Sequence, residues 1–153
     1  MVMDPNHVYQ NFLGPLLAEN GLSHDDVAQA ERIAVIQFWR NIGAEQPDRP
    51  LALCDASTVP RSEMIPILVP SYGGLRLDFE AFAVRTPQDA SAHSWYTFPK
   101  MAADEVMVFR TYDSRCEDEG RAFYTPHTAY LDPNVGSEAP RRESVEMRAL
   151  CLF

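Results

Sequence analysis

This sequence has few lysines and few cysteines, and its net charge is negative. Lys100 is the one lysine among 13 basic residues, and the formal net charge at pH 7 is −9. Proteins that bind nucleic acid present a clustered basic surface to the phosphates, whereas the arginines here are scattered. The composition therefore argues against a nucleic-acid partner. An acidic substrate would need a local pocket of arginines, which stay charged and pair well with carboxylates.

The cysteine pattern excludes two further kinds of protein. Cys54, Cys116 and Cys151 are odd in number and show no Cys-x-x-Cys spacing, so neither a disulfide framework nor a structural zinc site is expected. Free thiols favour a reducing compartment. The start of the chain lacks a basic segment followed by an apolar run, and no apolar run approaches the roughly 20 residues of a membrane span. We therefore expect a soluble, cytoplasmic protein with no membrane partner.

The length of 153 residues fits a single domain that can bury a sizeable core. Residues 1–31 carry a helical pattern and predict one or two helices. Ser23 is followed by Asp25 and Asp26, which predicts a helix over residues 24–31. Serine is a preferred N-cap residue, and acidic side chains are favourable in the first turn.

From residue 32 onwards the pattern indicates β-structure. Branched and aromatic residues dominate residues 33–40, and polar and apolar residues alternate over residues 75–84. Proline, glycine and aspartate supply turns between such segments. Predicted strands cover residues 33–40, 50–56, 64–69, 75–84, 95–99, 106–112, 121–125 and 145–153. Short strands at this spacing predict a mainly β sandwich or barrel over residues 32–153.

His127 is the most informative candidate for chemistry, although a lone histidine between small residues is most often structural. A metal site for iron needs an open, facially arranged pair of histidines and one carboxylate. The His-x-Asp sequence at residues 24–26 lies at a predicted helix start, and we interpret it as a capping coincidence.

Several charged side chains occupy positions that the apolar pattern assigns to the protein interior. Glu146 and Arg148 would share one face of the last predicted strand with Leu150 and Leu152, and inward ionic residues usually serve a ligand or one another. Four further charged residues sit at the ends of apolar strands and are candidates to line a common cavity: Arg40, Asp55, Arg110 and Asp113.

Aromatic residues are concentrated in the second half of the chain. Most aromatics at alternating positions belong to a core, and the remainder would suit an apolar small-molecule pocket with a few polar groups. The cluster consists of Trp95, Tyr96, Phe98, Phe109, Tyr112, Phe123, Tyr124 and Tyr130.

Four phrases of the sequence resemble one protein family: FWRNIG…PLALCDASTV, HSWYTFPKMAADEVMVFRTYDS, YTPHTAYLDP and APRRESVEMRAL. It is the hydroxylase/desaturase family of fungal and bacterial secondary metabolism, which includes the cephamycin 7α-hydroxylation component and gibberellin-desaturase-like enzymes. The likeness extends from about Ile33 to the end of the chain. It implies a double-stranded β-helix, or jelly roll, that is truncated here, together with iron and 2-oxoglutarate in typical members.

The resemblance also implies roles for individual residues. His127 matches the distal iron histidine, and Arg142 with Ser144 matches the clamp for the co-substrate carboxylate. Asp4 matches the carboxylate of the usual His-x-Asp motif, but Val2 stands where the histidine is expected. Typical members are much longer, so the first strands of the jelly roll are either missing or supplied by something else.

The mismatch at Val2 favours a metal-free relative with no cofactor. Such a protein would catalyse the non-oxidative cyclisation or isomerisation of an apolar biosynthetic intermediate, including a pericyclic step. The predicted catalytic residues are His127, Arg40, Arg142 and Tyr124. The predicted substrate-binding residues are Trp95, Phe109, Tyr112 and Ser144.

Two alternatives stay open. One is an Fe(II)/2-oxoglutarate hydroxylase or desaturase that uses Asp4 and His127 as iron ligands, with the missing ligand supplied by His7, a partner chain or further sequence. The other is a non-catalytic accessory subunit of a full-length oxygenase. Exposed strand edges make a homodimer attractive in every case.

Overall fold

A computed structural model describes residues 14–70 and 79–153. The first part of the predicted strand over 75–84 and Asp4 lie outside these residues. The helices are α1 (Gly14–Glu19), α2 (His24–Gln29) and α3 (Ser114–Asp118). The strands are β1 (Ile33–Asn41), β2 (Leu51–Cys54), β3 (Met64–Val69), β4 (Phe79–Val84), β5 (Trp95–Thr97), β6 (Met107–Asp113), β7 (His127–Ala129) and β8 (Ser144–Leu152). Single 3₁₀ turns at Ala56–Thr58 and Arg61–Glu63 connect β2 with β3.

The strands in the described ranges form three antiparallel sheets, in the orders β6-β1-β8, β5-β2-β7 and β3-β4. The central strand β1 pairs along its whole length with β8, from Ile33 opposite Leu152 to Asn41 opposite Ser144. Its pairing with β6 shifts in register between Val35 and Ile36. The prediction of a mainly β protein is confirmed.

Buried and less buried residues alternate along β1, and the buried face of this strand packs against the second sheet. Every second residue of this strand is buried, from Val35 through Gln37 and Trp39 to Asn41, which is the pattern of a strand with one face on a core. The core between the sheets consists of Trp39, Leu51, Met101, Met107 and Phe109. Because Leu51 belongs to β2, this cluster joins the sheet β6-β1-β8 to the sheet β5-β2-β7.

The helices α1 and α2 cover one end of the first sheet. Leu17 of α1 and Val27 of α2 are buried and pack against Ile33, Leu150 and Leu152 of β1 and β8. The predicted cap of α2 is present, since Ser23 and Asp26 form a reciprocal capping box. This arrangement satisfies two backbone N–H groups that the helix itself leaves free.

The predicted strand over residues 121–125 is wrong, because this segment is irregular and β7 begins only at His127. Phe123 and Tyr124 are both buried although they are adjacent, which contradicts the alternation of a strand. Their rings meet at 5.0 Å in an edge-to-face arrangement. They pack with Cys116, and the aromatic content of the segment reflects this side-chain cluster rather than strand pairing.

The three cysteines are free thiols, as the sequence predicted. Cys54 and Cys116 are buried, and Cys151 is half-buried. In the part of the chain that the structure describes, no helix is long and apolar enough to cross a membrane.

Candidate functional site

A cavity of about 640 Å³ is lined by residues from five strands, β4 to β8. Its walls include the apolar groups Phe82 and Trp95. The basic or imidazole side chains on its lining are Arg85, His93, His127 and Arg148, and the lining residues within 14–70 and 79–153 include no aspartate or glutamate. Inside a protein of net charge −9, the two arginines on this lining are a local concentration of positive charge.

His127 is held in a single tautomer at this cavity. His127 is the first residue of β7 and pairs with Leu53 of β2. Its Nδ1 lies 2.9 Å from the carbonyl oxygen of Thr125. A carbonyl oxygen only accepts hydrogen bonds, so Nδ1 carries the proton in the neutral ring and Nε2 keeps its lone pair. The ring also packs on Phe109, with centroids 4.8 Å apart. Nε2 is therefore available as a base, a hydrogen-bond acceptor or a metal ligand.

Arg148 reaches the cavity from β8 and is positioned by a buried glutamine. Its Nε donates a hydrogen bond of 2.9 Å to Oε1 of Gln37, whose side chain is fully buried. The amide of Gln37 in turn donates a 2.6 Å hydrogen bond to Oε2 of Glu146. Glu146 also lies 3.8 Å from Nη2 of Arg148. The charges predicted on this face of the strand do contact each other through Gln37, but both residues are exposed and not buried in the interior.

Tyr124 lines the same cavity, and its hydroxyl is buried. The residue is 8% exposed, and no hydrogen-bond partner for its Oη is present among the described residues. Burial raises the pKa of Tyr124 above its ordinary value, so the phenol keeps its proton at neutral pH. An unpartnered buried hydroxyl is costly to the stability of the fold.

A histidine–carboxylate pair, which the sequence did not predict, adds a second imidazole. Nε2 of His93 lies 2.6 Å from Oε2 of Glu63, and only 2% of the His93 side chain is exposed. His93 lines the cavity, whereas Glu63 lies behind it on a 3₁₀ turn. The two residues are 30 positions apart, and no sequence pattern connects them.

The predicted substrate-binding residues divide between cavity and core. Trp95 lines the cavity, and Phe109 supports the ring of His127 from the core. Tyr112 packs instead against Phe123, with centroids 5.9 Å apart. Ser144 is an exposed residue at the start of β8, opposite Asn41.

Two arginines of the predicted catalytic set lie away from the cavity lining. Arg40 is exposed and donates from Nε to the carbonyl oxygen of Ala103. The guanidinium of Arg142 lies over the ring of Trp39, 5.8 Å from its centroid. The structure therefore brings His127 and Tyr124 together at one cavity but does not bring Arg40 or Arg142 to it.

The prediction that strand-end charges line a common cavity is wrong for the set as a whole. Asp113 is fully buried in an ion cluster, 2.7 Å from Nη2 of Arg32 and 3.1 Å from Nη1 of Arg110. Asp55 caps a 3₁₀ turn by accepting from the backbone N–H of Ser57. These charges satisfy backbone groups and one another, which is the usual condition for burying them.

A sequence profile described as an oxidoreductase/YMDC permease-like domain matches residues 15–152. The hydroxylase/desaturase asaB of Aspergillus flavus is 31% identical over 134 residues, covering 80% of this chain and 56% of the relative. The chain belongs to this oxygenase-like hydroxylase/desaturase family. The Fe(II)/2-oxoglutarate-dependent dioxygenase nvfI of Aspergillus novofumigatus is 28% identical over 122 residues, covering 78% of this chain and 40% of the relative.

The fold prediction is confirmed by a solved structure. The iron and alpha-ketoglutarate-dependent endoperoxidase NvfI superposes with a TM-score of 0.68 at 24% identity, over 90% of this chain and 48% of that one. The fold is thus the jelly-roll type of these oxygenases. The chain spans about half the length of the relatives it matches.

The family implies iron and 2-oxoglutarate, and the described residues do not fit iron by themselves. Within residues 14–70 and 79–153, no group of three histidine, cysteine, aspartate or glutamate side chains could hold a metal ion. His127 has a suitable nitrogen but no carboxylate beside it in this part of the chain. Asp4, the other ligand that the resemblance implies, lies outside the described residues.

Proposed function

We propose that the cavity binds an apolar intermediate of secondary metabolism that carries a carboxylate or carbonyl group, and that it isomerises or cyclises this intermediate without net oxidation. The observation that carries this proposal is the convergence of Arg148 and His127, both held in position by the fold, on one cavity with apolar walls. The apolar walls suit the hydrocarbon part of such a ligand, and the polar groups suit its oxygens.

The chemistry follows from what each side chain is free to do. Nε of Arg148 donates to Gln37 and its Nη2 lies 3.8 Å from Glu146, so Nη1 is the nitrogen without a partner among the described residues that can donate to a carboxylate. His127 accepts a hydrogen bond or a proton at Nε2. Holding a flexible substrate near its reactive geometry contributes several kcal/mol, and this suffices for a reaction that needs shape and donors, including a pericyclic step. The sequence-based roles of four further residues stay predictions: Arg40, Arg142, Tyr112 and Ser144.

Binding of a carboxylate is the first test. The probe is 2-naphthoate, monitored by tryptophan fluorescence, with its methyl ester as the uncharged analogue. Wild-type protein treated with a chelator should bind the acid and bind the ester at least tenfold more weakly. Arg148→Met should remove that preference, whereas the exposed arginine variant Arg49→Met should retain it. Equal binding of acid and ester by wild-type protein would contradict the proposal.

Turnover is tested by product mass. Unsaturated carboxylic acids of polyketide type are incubated with chelator under argon and analysed by liquid chromatography with mass detection. The proposal predicts a new product of unchanged mass. A product that appears only with iron, 2-oxoglutarate and oxygen, and that has gained an oxygen atom or lost two hydrogens, would refute it.

A second candidate is the Fe(II)/2-oxoglutarate hydroxylase or desaturase reaction named for the relatives. The observation that favours it is the hydrogen bond from Nδ1 of His127 to Thr125, because metal-binding histidines usually donate their second ring nitrogen in this way. Bound iron would supply oxygen activation, with Asp4 and a donor from outside the described residues completing its ligands. Anaerobic iron titration with 2-oxoglutarate, followed by the charge-transfer absorption band, tests this candidate.

The homodimer is also a proposal. Among the described strands, β8 is at the edge of the sheet β6-β1-β8, and its residues Val145 and Met147 are more than half exposed. Exposed edge strands are common sites of association. Sedimentation velocity of the wild-type protein across a concentration series tests this proposal.

A further inference from the structure

We propose that His93, paired with Glu63, is the proton-transferring base of the cavity, and that the hydroxyl of Tyr124 donates a hydrogen bond to the carbonyl oxygen of the substrate. This proposal rests on the proposed function and narrows it to one reaction class. The reaction is the migration of a carbon–carbon double bond in an unsaturated carbonyl compound, by transfer of one proton over three carbons.

The tautomer of His93 is set by its partner. An ionised carboxylate accepts hydrogen bonds and cannot donate them, so the 2.6 Å contact with Glu63 requires the proton on Nε2. Nδ1 of the neutral ring then holds the lone pair, and no partner for it is present in residues 14–70 and 79–153. A carboxylate behind a histidine also stabilises the imidazolium that forms when the ring takes up a proton.

The backbone holds both members of this pair in place. The N–H of Glu63 donates to the carbonyl of Pro60 at 2.9 Å, and its own carbonyl accepts from Arg85 at 2.7 Å. Beside His93, the N–H of Ser94 donates to Oγ1 of Thr58 at 3.1 Å. A base fixed in this way loses little freedom when the substrate binds, which is the condition for efficient proton transfer.

The segments that carry His93 and His127 flank the same end of β2. The N–H of Asp55 donates to the carbonyl of Ser94, and the N–H of Cys54 donates to the carbonyl of Pro126, each at 2.8 Å. Strands on either side of a central strand lie about 10 Å apart. The backbone segments that carry the two histidines are therefore separated by about two strand spacings.

Tyr124 provides an independent observation that points to a ligand. Tyr124 lines the cavity, and its buried hydroxyl has no hydrogen-bond partner among the described residues. Donors placed at a developing oxyanion are among the most effective catalytic groups, and a protonated phenol is such a donor. No described side chain satisfies this hydroxyl, so the proposal assigns it the carbonyl oxygen of the substrate as its acceptor.

The reaction balances without an oxidant or reductant. His93 Nδ1 removes a proton from the carbon next to the carbonyl of a β,γ-unsaturated compound, and the electrons of that C–H bond form a dienolate. The oxygen of the dienolate accepts the hydrogen bond from Tyr124. The imidazolium then returns the proton to the γ-carbon, which regenerates the carbonyl and leaves the double bond conjugated with it.

The test uses a probe whose reaction needs only a base. In 5-nitrobenzisoxazole, removal of the C–H proton forms a nitrile, breaks the N–O bond and releases a coloured phenolate. Wild-type protein should accelerate this reaction above buffer. His93→Gln, which can still donate to Glu63 but cannot take up a proton, should lower the rate at least about 100-fold. Tyr124→Phe should lower it less, and His24→Gln on the exposed face of α2 should leave it unchanged.

A wild-type protein that does not exceed buffer, or a folded His93→Gln variant with the wild-type rate, would overturn the proposal. Nitrogen-15 NMR of the wild-type protein gives a readout that does not depend on any variant. The neutral ring of His93 should carry its proton on Nε2, and a proton on Nδ1 would also refute the proposal. Naphthoate binding in the same samples shows which proposal has failed. If the protein binds naphthoate but His93 is inert, the role of His93 is rejected and the proposed function is not.

Discussion

Gln37 and Arg148 face each other across the β1–β8 pair, and the fully buried amide oxygen of Gln37 accepts the Nε hydrogen bond of Arg148 at 2.9 Å. The same amide donates to Glu146 at 2.6 Å. A polar residue in the centre of a core strand is unusual, and buried polar groups are kept only when they are hydrogen-bonded. Gln37 is therefore a positioning residue that sets the direction of the Arg148 guanidinium at the cavity.

Replacing Gln37 by leucine should remove this support at similar side-chain volume. The guanidinium of Arg148 and the carboxylate of Glu146 would each lose a hydrogen bond, and bonds to charged groups contribute about 1.5–3 kcal/mol. We expect the free energy of unfolding to fall by about 2 kcal/mol, measured by urea denaturation.

Carboxylate binding should weaken in the same variant, because Arg148 is no longer held in one direction. Gln29→Leu, at an exposed position on α2, is the matched control and should change neither property. A stable Gln37→Leu protein with unchanged naphthoate affinity would show that Gln37 does not position Arg148.

The β-strands were the most predictable part of the fold, because alternation and branched residues are local signals. Residues 33–40 and 145–153 were predicted as strands, and β1 and β8 occupy nearly the same ranges. Residues 121–125 carried the same composition but fold as an irregular segment. Burial of both Phe123 and Tyr124 there depends on packing against Cys116, which is a tertiary effect that composition does not reveal.

The site was less predictable than the fold, because it joins residues that are far apart in the chain. His127, Tyr124 and Trp95 were proposed from the sequence and do line the cavity. Arg142 was matched to a family clamp, yet its side chain lies over Trp39. The pairing of His93 with Glu63 depends on the packing of a 3₁₀ turn against the segment before β5. No periodic pattern in the sequence predicts such a contact.

The tautomer of His127 is a prediction that needs no substrate. Since Nδ1 donates to the carbonyl of Thr125, the neutral ring should show a protonated Nδ1 and an unprotonated Nε2 in nitrogen-15 NMR. His93 should show the opposite pattern, because its Nε2 faces Glu63. The two rings thus serve as internal references for each other. Identical tautomers in the two residues would contradict the hydrogen bonds of at least one.

Asp113 should dominate the loss of stability in acid. Its hydrogen bonds with Arg32 hold the pKa of this carboxyl well below its usual range. The unfolded chain, with an ordinary carboxyl pKa of about 3.9, therefore takes up a proton before the folded protein does. The stabilisation is complete above that pH and is lost progressively as the pH falls below about 4.

Asp113→Asn should accordingly lower stability at pH 7 by about 2 kcal/mol through the loss of charge-assisted hydrogen bonds. Its stability should also depend less on pH between neutrality and acid than that of the wild type. The exposed variant Asp118→Asn on α3 is the control and should follow the wild-type curve. Parallel acid curves for wild type and Asp113→Asn, measured by urea denaturation across pH, would rule out this assignment.

Tyr124→Phe should stabilise the ligand-free protein, in contrast to most changes at a core position. The variant removes a buried hydroxyl that no described residue satisfies, and leaving such a group unpaired costs about 1 kcal/mol or more.

The pH dependence of stability should also change in this variant. Burial raises the pKa of Tyr124 in the folded protein, whereas tyrosine in the unfolded chain has a pKa of about 10. The unfolded chain therefore loses this proton first as the pH rises. Wild-type stability should fall above about pH 10, and this part of the fall should be absent in Tyr124→Phe. Thermal unfolding of both proteins from pH 7 to pH 11 measures the two effects together, with Tyr96→Phe at an exposed ring as the control. A destabilised Tyr124→Phe protein at pH 7 would mean that the hydroxyl has a partner in solution.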